Sequence, residues 1–297
     1  MVAIFESLPL ELLRLIFSMS CTDGGRTVCC IRRVSKTFRD ASEEYRFRSV
    51  ALDNISSNRT VAAFIDSLNG APFPRVSHLF VHFVQPVERL LIESLFETVS
   101  ESLDTLYCIV GDVVHNRSEP CYVSQALWRT RFPRLTHLTF RSGPRHSTNG
   151  SELPDRYPSL RSLHVSPPTP IHFIIGHLIT LNFCVGASSA LTEVCLLGAN
   201  FRGMRLANQI PSLKATCNSF RDQGLYISLT SPDRLLLPRS VQRYEFIPVP
   251  GYVSVGESVT KDMEGLVCST LRAEPLRTVE EWKQEWLKML DAHYAYV

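Results

Sequence analysis

The chain has no Cys-x-x-Cys pair among its nine cysteines, and the count is odd. That argues against a zinc ribbon or a disulfide framework. It favours reduced thiols acting as small core residues, as Cys108, Cys184, Cys195 and Cys217 would in or beside apolar runs. There is no Gly-x-Ser-x-Gly elbow, His-Glu-x-x-His pair, phosphate loop or dinucleotide fingerprint. His78 and His82 stand four apart on a strand pattern, with no third or fourth ligand near them in sequence, so no metal and no cofactor is expected. A Cys–His hydrolase has no positive support, although its partners need not be adjacent in sequence. Basic residues form no block: 31 Lys and Arg stand against 29 Asp and Glu, which disfavours nucleic acid as a partner. The longest apolar run, 171–185, contains His172 and His177 and is too short to span a bilayer, so no membrane partner is expected. The first 20 residues lack a basic start and are interrupted by Glu6, Glu11 and Arg14, unlike a secretory leader. A cytoplasmic or nuclear location follows as the expectation, and the sequons at Asn54, Asn58, Asn116 and Asn149 become chance matches.

The remaining composition, 44% hydrophobic and 20% charged over 297 residues, describes an ordinary globular protein of one extended or two compact domains. The most informative stretch lies in the first 50 residues. Pro9 suits the first turn of a helix, and Glu11 complements the positive end of its dipole. Leu8, Leu10, Leu12, Leu13, Leu15, Ile16, Phe17 and Met19 then spread over roughly 220° of the circumference, leaving a narrow polar stripe of Glu11, Arg14 and Ser18. A surface helix of a small domain needs an apolar face of only about 100°. Something else must cover the excess, either the rest of this chain or a partner. After the turn at Gly24-Gly25, the pattern predicts a second helix from Arg26 to about Val34 and a third from Ser35 or Lys36 to Arg46. Three helices in about 40 residues cannot bury a self-sufficient core.

The order Leu8-Pro9, Glu11-Leu12, Ile16-Phe17, Val34-Ser35-Lys36 and Phe38 resembles the F-box, a helical module that docks an adaptor of ubiquitin ligases. The insert from Cys21 to Thr27 and the segment from Phe47 to Leu52 look like mushroom-type fungal F-box-like proteins. Arg32-Arg33 departs from the family, which more often has apolar or small polar residues there. The resemblance implies that residues 4–48 dock a Skp-family adaptor and, through it, a cullin. It also implies that Leu8, Pro9, Leu12, Ile16 and Phe17 anchor that contact, with Val34 in support.

Phe73-Pro74-Arg75-Val76-Ser77-His78-Leu79 recurs as Phe132-Pro133-Arg134-Leu135-Thr136-His137-Leu138, and again from Tyr157 to Val165. A fourth, degraded copy begins at Ile210. The shared core, Leu-x-x-Leu-x-Phe/Val, also fits Leu103-Leu106-Cys108, Leu178-Leu181-Phe183, Leu191-Val194-Leu196 and Val241-Tyr244-Phe246. Helical spacing between these strand patterns involves Val61, Phe64, Ile65 and Leu68, then Val87, Leu90, Leu91, Ser94, Leu95 and Val99, then Gln125 to Trp128. The alternation resembles a leucine-rich repeat, made irregular by offsets of about 13 to about 32 residues where regular repeats take 20–29. An ordinary α/β domain with coincidental motifs is the other reading. Polar segments at 141–156 and 248–261 read as loops.

The fold class expected is therefore α+β or α/β. A three-helix F-box is followed by an irregular leucine-rich-repeat-like solenoid over 49–277 and an amphipathic helix over 278–297. That helix opens on the capping box of Thr278 and Glu281, and either covers the last apolar face of the solenoid or binds a partner. Strand residues between the inward ones would form an exposed concave face, with Phe80, His82, Tyr107, Thr139, Arg141, His164 and Asn182 directed at a target protein. The function expected is substrate recognition for a Skp–cullin–F-box ligase, with no catalysis by this chain. The alternative is a ligase-independent scaffold with a degenerate F-box.

Overall fold

The computed structural model describes residues 8–111, 122–141, 156–166, 171–172, 190–200, 240–248, 259–263, 266–270 and 276–294. Helix α1 (Leu10–Ser20) starts directly after Pro9, so the proline is the N-cap rather than part of the first turn. Its carbonyl accepts from the amides of Leu12 and Leu13 at 3.0 and 3.1 Å. Helix α2 (Arg26–Ile31) ends before Val34, and α3 (Lys36–Ser42) is capped by the Ser35 hydroxyl, which accepts from the Phe38 amide at 3.2 Å. A 3-10 turn, Glu43–Tyr45, finishes the bundle. Its core is small: Leu13, Phe17, Cys21, Val28 and Ala41 are buried, with Leu8, Ile31, Phe38 and Tyr45 packed around them.

Ten strands of the described residues form one sheet, β1 (Ser49–Ile55), β2 (His78–Phe83), β3 (Thr105–Val110), β4 (His137–Arg141), β5 (Ser162–Ser166), β6 (Ile171–His172), β7 (Glu193–Asn200), β8 (Arg243–Pro248), β9 (Val259–Met263) and β10 (Leu266–Thr270). Their order is β1-β2-β3-β4-β5-β7-β8-β10-β9, with β6 beside β7, and every pairing is parallel except β10 with β9. The Leu-x-x-Leu-x-Phe/Val motif fixes the register. Leu79, Leu106, Leu138, Leu163, Val194 and Tyr244 stand side by side on successive strands, and Val81, Cys108, Phe140, Val165 and Leu196 form the next row. One hydrogen-bond step recurs below these rows. The carbonyls of Arg48, Ser77, Asp104, Thr136, Arg161 and Thr192 each accept two successive amides from the start of the following strand.

Helices α4 (Asn58–Asn69), α5 (Arg89–Ser100) and α6 (Tyr122–Arg129) lie between consecutive strands and share the main core with those rows. In α4 the predicted face, Val61, Phe64, Ile65 and Leu68, is the buried one. In α5 the phase differs from expectation. Ile92, Leu95, Phe96 and Val99 face the core, whereas Leu90 is exposed, because at 100° per residue it lies about 160° around the helix from Ile92. The repeat copies at Leu178 and Ile210 and residues 142–155 lie outside the described residues. In the second predicted loop, Val259–Lys261 is instead part of β9, paired with β10.

The opposite face of the first strands is covered by α7 (Val279–Tyr294). The capping box forms as the sequence implies: Glu281 N–H donates to Thr278 Oγ1 at 3.2 Å and Thr278 N–H to Glu281 Oε2 at 2.6 Å. Its location differs from the expected end cap. Trp286 lies 5.7 Å from Phe80 of β2, and Trp282 lies 6.4 Å from Tyr107 of β3, between ring centroids. The helix therefore crosses the sheet face near its first strands. The physical reason is compositional: Ala51, Phe80, Tyr107 and Ile109 make this part of the outward face apolar, so it needs a cover.

The same helix reaches the three-helix bundle. Asp291 Oδ1 accepts from Thr22 Oγ1 at 3.2 Å, and Ala51 N–H donates to Gly24 O at 3.3 Å. Asp23 fixes the turn by accepting from Thr27 N–H at 2.9 Å and from Thr27 Oγ1 at 2.7 Å. Gly24 has φ +71°, and a Cβ there would stand 3.0 Å from Ala51 Cβ and 3.2 Å from Trp286 Cζ3. Gly24→Ala is therefore expected to destabilise this junction by about 1–3 kcal/mol, from left-handed strain plus the close contact. Urea unfolding would measure it. A stability equal to wild type would mean that the junction yields.

Candidate docking surface

Two surfaces were legible in the sequence, and the structure treats them differently. On α1, positions 12, 15, 16 and 19 fall within about 100° of one another at 100° per residue. Leu12, Leu15, Ile16 and Met19 are accordingly exposed together, at 46, 56, 41 and 62%. The opposite side of the helix carries Leu13 and Phe17 into the bundle. The broad apolar circumference thus divides into a stripe that builds the domain and a stripe that faces outward.

Of the proposed anchors, Pro9, Leu12, Ile16 and Val34 are exposed and Leu8 is half-buried. Phe17 is corrected. It is 4% exposed and meets Phe38 edge-on at 5.5 Å, so it holds the bundle together and is not available to a partner. Leu15 and Met19 lie outside the family motif, but their i+3 and i+7 spacing from Leu12 places them on the same exposed stripe. Arg32 is drawn into an ion pair with Glu43 of the bundle, and Arg39 Nε donates to its carbonyl at 3.3 Å. Arg33 remains exposed beside Val34.

The strand side chains expected on an open concave face are mostly covered. Phe80, His82, Tyr107, Thr139 and Arg141 are buried and so not displayed to solvent, while His164 is half-buried. Phe80 and Tyr107 lie against Trp286 and Trp282 of α7. Asn182 lies outside the described residues. Burial raises the Tyr107 pKa, which leaves a neutral phenol. His82 Nδ1 is 3.2 Å from Asp53 Oδ1, and Lys283 Nζ from α7 donates to Asp53 Oδ2 at 2.7 Å. Burial acts to raise the Asp53 pKa, but the bonds from Lys283 and His82 outweigh it and hold the carboxyl below its usual range. His78 Nδ1 is instead 3.0 Å from Thr105 Oγ1. Among the described residues no group of three or more His, Cys, Asp or Glu is placed to hold a metal. No helix of the described residues is long and apolar enough to cross a membrane.

Burial pushes the His164 pKa down from 6.5 to about 4, helped by the neighbouring His137 and Arg277. The folded state therefore binds fewer protons than the unfolded chain between these values. Stability from this group is complete above pH 6.5 and is lost as pH falls towards 4. His164→Gln is expected to flatten that slope in urea titrations at pH 4.5 and 7. An unchanged slope would assign the acid sensitivity to other groups.

Residues 5–49 match the family model for the F-box domain. No curated protein and no solved structure matches the chain. An F-box domain is therefore present, on the helices that carry the exposed stripe. F-boxes are non-catalytic adaptor modules, and this one supports a general ubiquitin-ligase adaptor role. Chemistry by the F-box itself is not part of that role.

Proposed function

We propose that this chain is the substrate-recognition subunit of a Skp–cullin–F-box ubiquitin ligase. In this reading Leu12, Leu15, Ile16, Met19 and Val34 enter the adaptor, with Pro9 and Leu8 at the rim. The observation that carries it is the exposed apolar stripe on the matched domain, a surface that a small helical bundle cannot leave wet without cost. Residues 4–48 are the docking domain, and the sheet region within 49–277 holds the target. The recurring register and hydrogen-bond step support an irregular leucine-rich-repeat-like solenoid, in which each strand is one unit. The insert at Cys21–Thr27 supports kinship with mushroom-type fungal proteins. A cytoplasmic or nuclear setting accords with such a ligase. Bringing a target beside the ubiquitin-charged enzyme raises the effective concentration of its lysines, and that proximity is the whole contribution of this chain.

Co-expression with a Skp-family adaptor tests the reading. A stable one-to-one complex is expected by size exclusion. A folded chain that elutes alone would overturn adaptor docking and favour a ligase-independent scaffold.

A further inference from the structure

The positive charge of this chain is concentrated in the three-helix bundle. Residues 8–48 hold eight Lys and Arg against five Asp and Glu, a net of +3, while the whole chain carries +2, which leaves the remainder at −1. Within the bundle the cations gather where α2 turns into α3. Arg32 and Arg46 share one carboxylate, Glu43, with Arg46 Nη1 3.5 Å from it, and Arg39 Nε donates to the Arg32 carbonyl at 3.3 Å. Burial lowers the Arg32 pKa, and the neighbouring Arg46 and Arg39 lower it further, because these cations outnumber the carboxylate between them. Arg33 and Lys36 flank Val34, are exposed, and have no carboxylate partner among the described residues. Lys36 also opens α3, where a cation opposes the positive end of the helix dipole. The stability of the bundle therefore does not account for these two charges.

We propose that this basic rim selects the docking partner: the adaptor surface that covers Val34 carries carboxylates opposite Arg33 and Lys36, so charge steers the encounter and apolar contact holds the complex. The inference rests on the adaptor-docking reading above. Apolar contact at Leu12 and Ile16 discriminates little between partners of similar shape. Arg33 and Lys36 discriminate by repulsion, since a partner with a cation or an apolar group opposite them leaves a charge desolvated and unpaired. Nucleic acid fits this surface less well. It would supply the negative charge but leave Val34, 55% exposed between the two cations, without an apolar cover. An acidic protein surface with an apolar centre satisfies both features.

Stopped-flow association of the full-length chain with a purified Skp-family adaptor tests this. Wild type is expected to associate at least about tenfold more slowly as salt rises from about 50 to about 500 mM, because screening shortens the reach of surface charge. Arg33→Glu/Lys36→Glu is expected to lower the low-salt association rate by about tenfold and to remove most of the salt dependence, with dissociation changed by less than about twofold. Arg33→Lys/Lys36→Arg, which keeps both charges, should retain the wild-type rate. Wild-type kinetics in the charge-reversed chain would overturn the proposal and leave adaptor docking in place, whereas no binding by wild type would overturn both. Should the reversed chain misfold, Arg33→Gln/Lys36→Gln adds no carboxylate and is expected to slow association by about threefold; an unchanged rate there would equally overturn the proposal. Unchanged adaptor kinetics together with lost self-association, or lost retention of a mixed-sequence RNA oligonucleotide, would assign the rim to those partners and overturn it.

Discussion

A Leu12→Asp/Ile16→Asp chain is expected to lose adaptor binding by about 10³-fold while keeping its melting temperature. Truncating one central apolar residue of an interface commonly costs about 2 kcal/mol, and each 1.4 kcal/mol is a factor of ten. Two such losses amount to about 4 kcal/mol before the carboxylates are counted, and desolvating those charges adds to the deficit. Stability should be spared because both side chains already face solvent. Isothermal titration against the purified adaptor gives the affinity, and thermal melting gives the fold. Retained binding by a folded double variant would remove the stripe from the interface. Leu15→Asp provides a separate check, since that residue belongs to the stripe by geometry and was not among the anchors drawn from family resemblance.

The strand register was legible because it depends on local pattern. A leucine three residues before another, then an apolar residue two further on, leaves one way to face a core. Val76, Leu103, Leu135, Leu160, Leu191 and Val241 are all fully buried at the first of these positions. The F-box was legible from the order of short motifs, each weak alone. The destination of α7 was not legible, since the capping box fixes where a helix begins and says nothing of the surface it covers. A signal for that surface was nevertheless present. Thr105-Leu106-Tyr107-Cys108-Ile109-Val110 does not alternate polar with apolar, and every position of β3 is buried. Such continuous runs belong to strands covered on both faces. In such a strand Tyr107 is covered whichever face it takes, and Phe80 beside it is covered likewise.

Phe17 gives the complementary experiment, because family resemblance made it an anchor and packing makes it a core residue. Phe17→Ala is expected to cost about 3–5 kcal/mol, from lost apolar burial and the cavity beside Phe38. The bundle has little to spend against such a loss, since its buried apolar core comprises Leu13, Phe17, Cys21, Val28 and Ala41. Hydrogen exchange should show α1, α2 and α3 losing protection together, while β2 to β5 keep theirs under the separate core of the sheet. Adaptor binding would weaken as a consequence of unfolding and recover on cooling or in stabilising osmolyte. Leu12→Ala should show the opposite behaviour, with weakened binding, unchanged exchange and no recovery. Full protection of the bundle in Phe17→Ala, together with lost binding, would return Phe17 to the interface and require α1 to rotate about its axis when the adaptor docks.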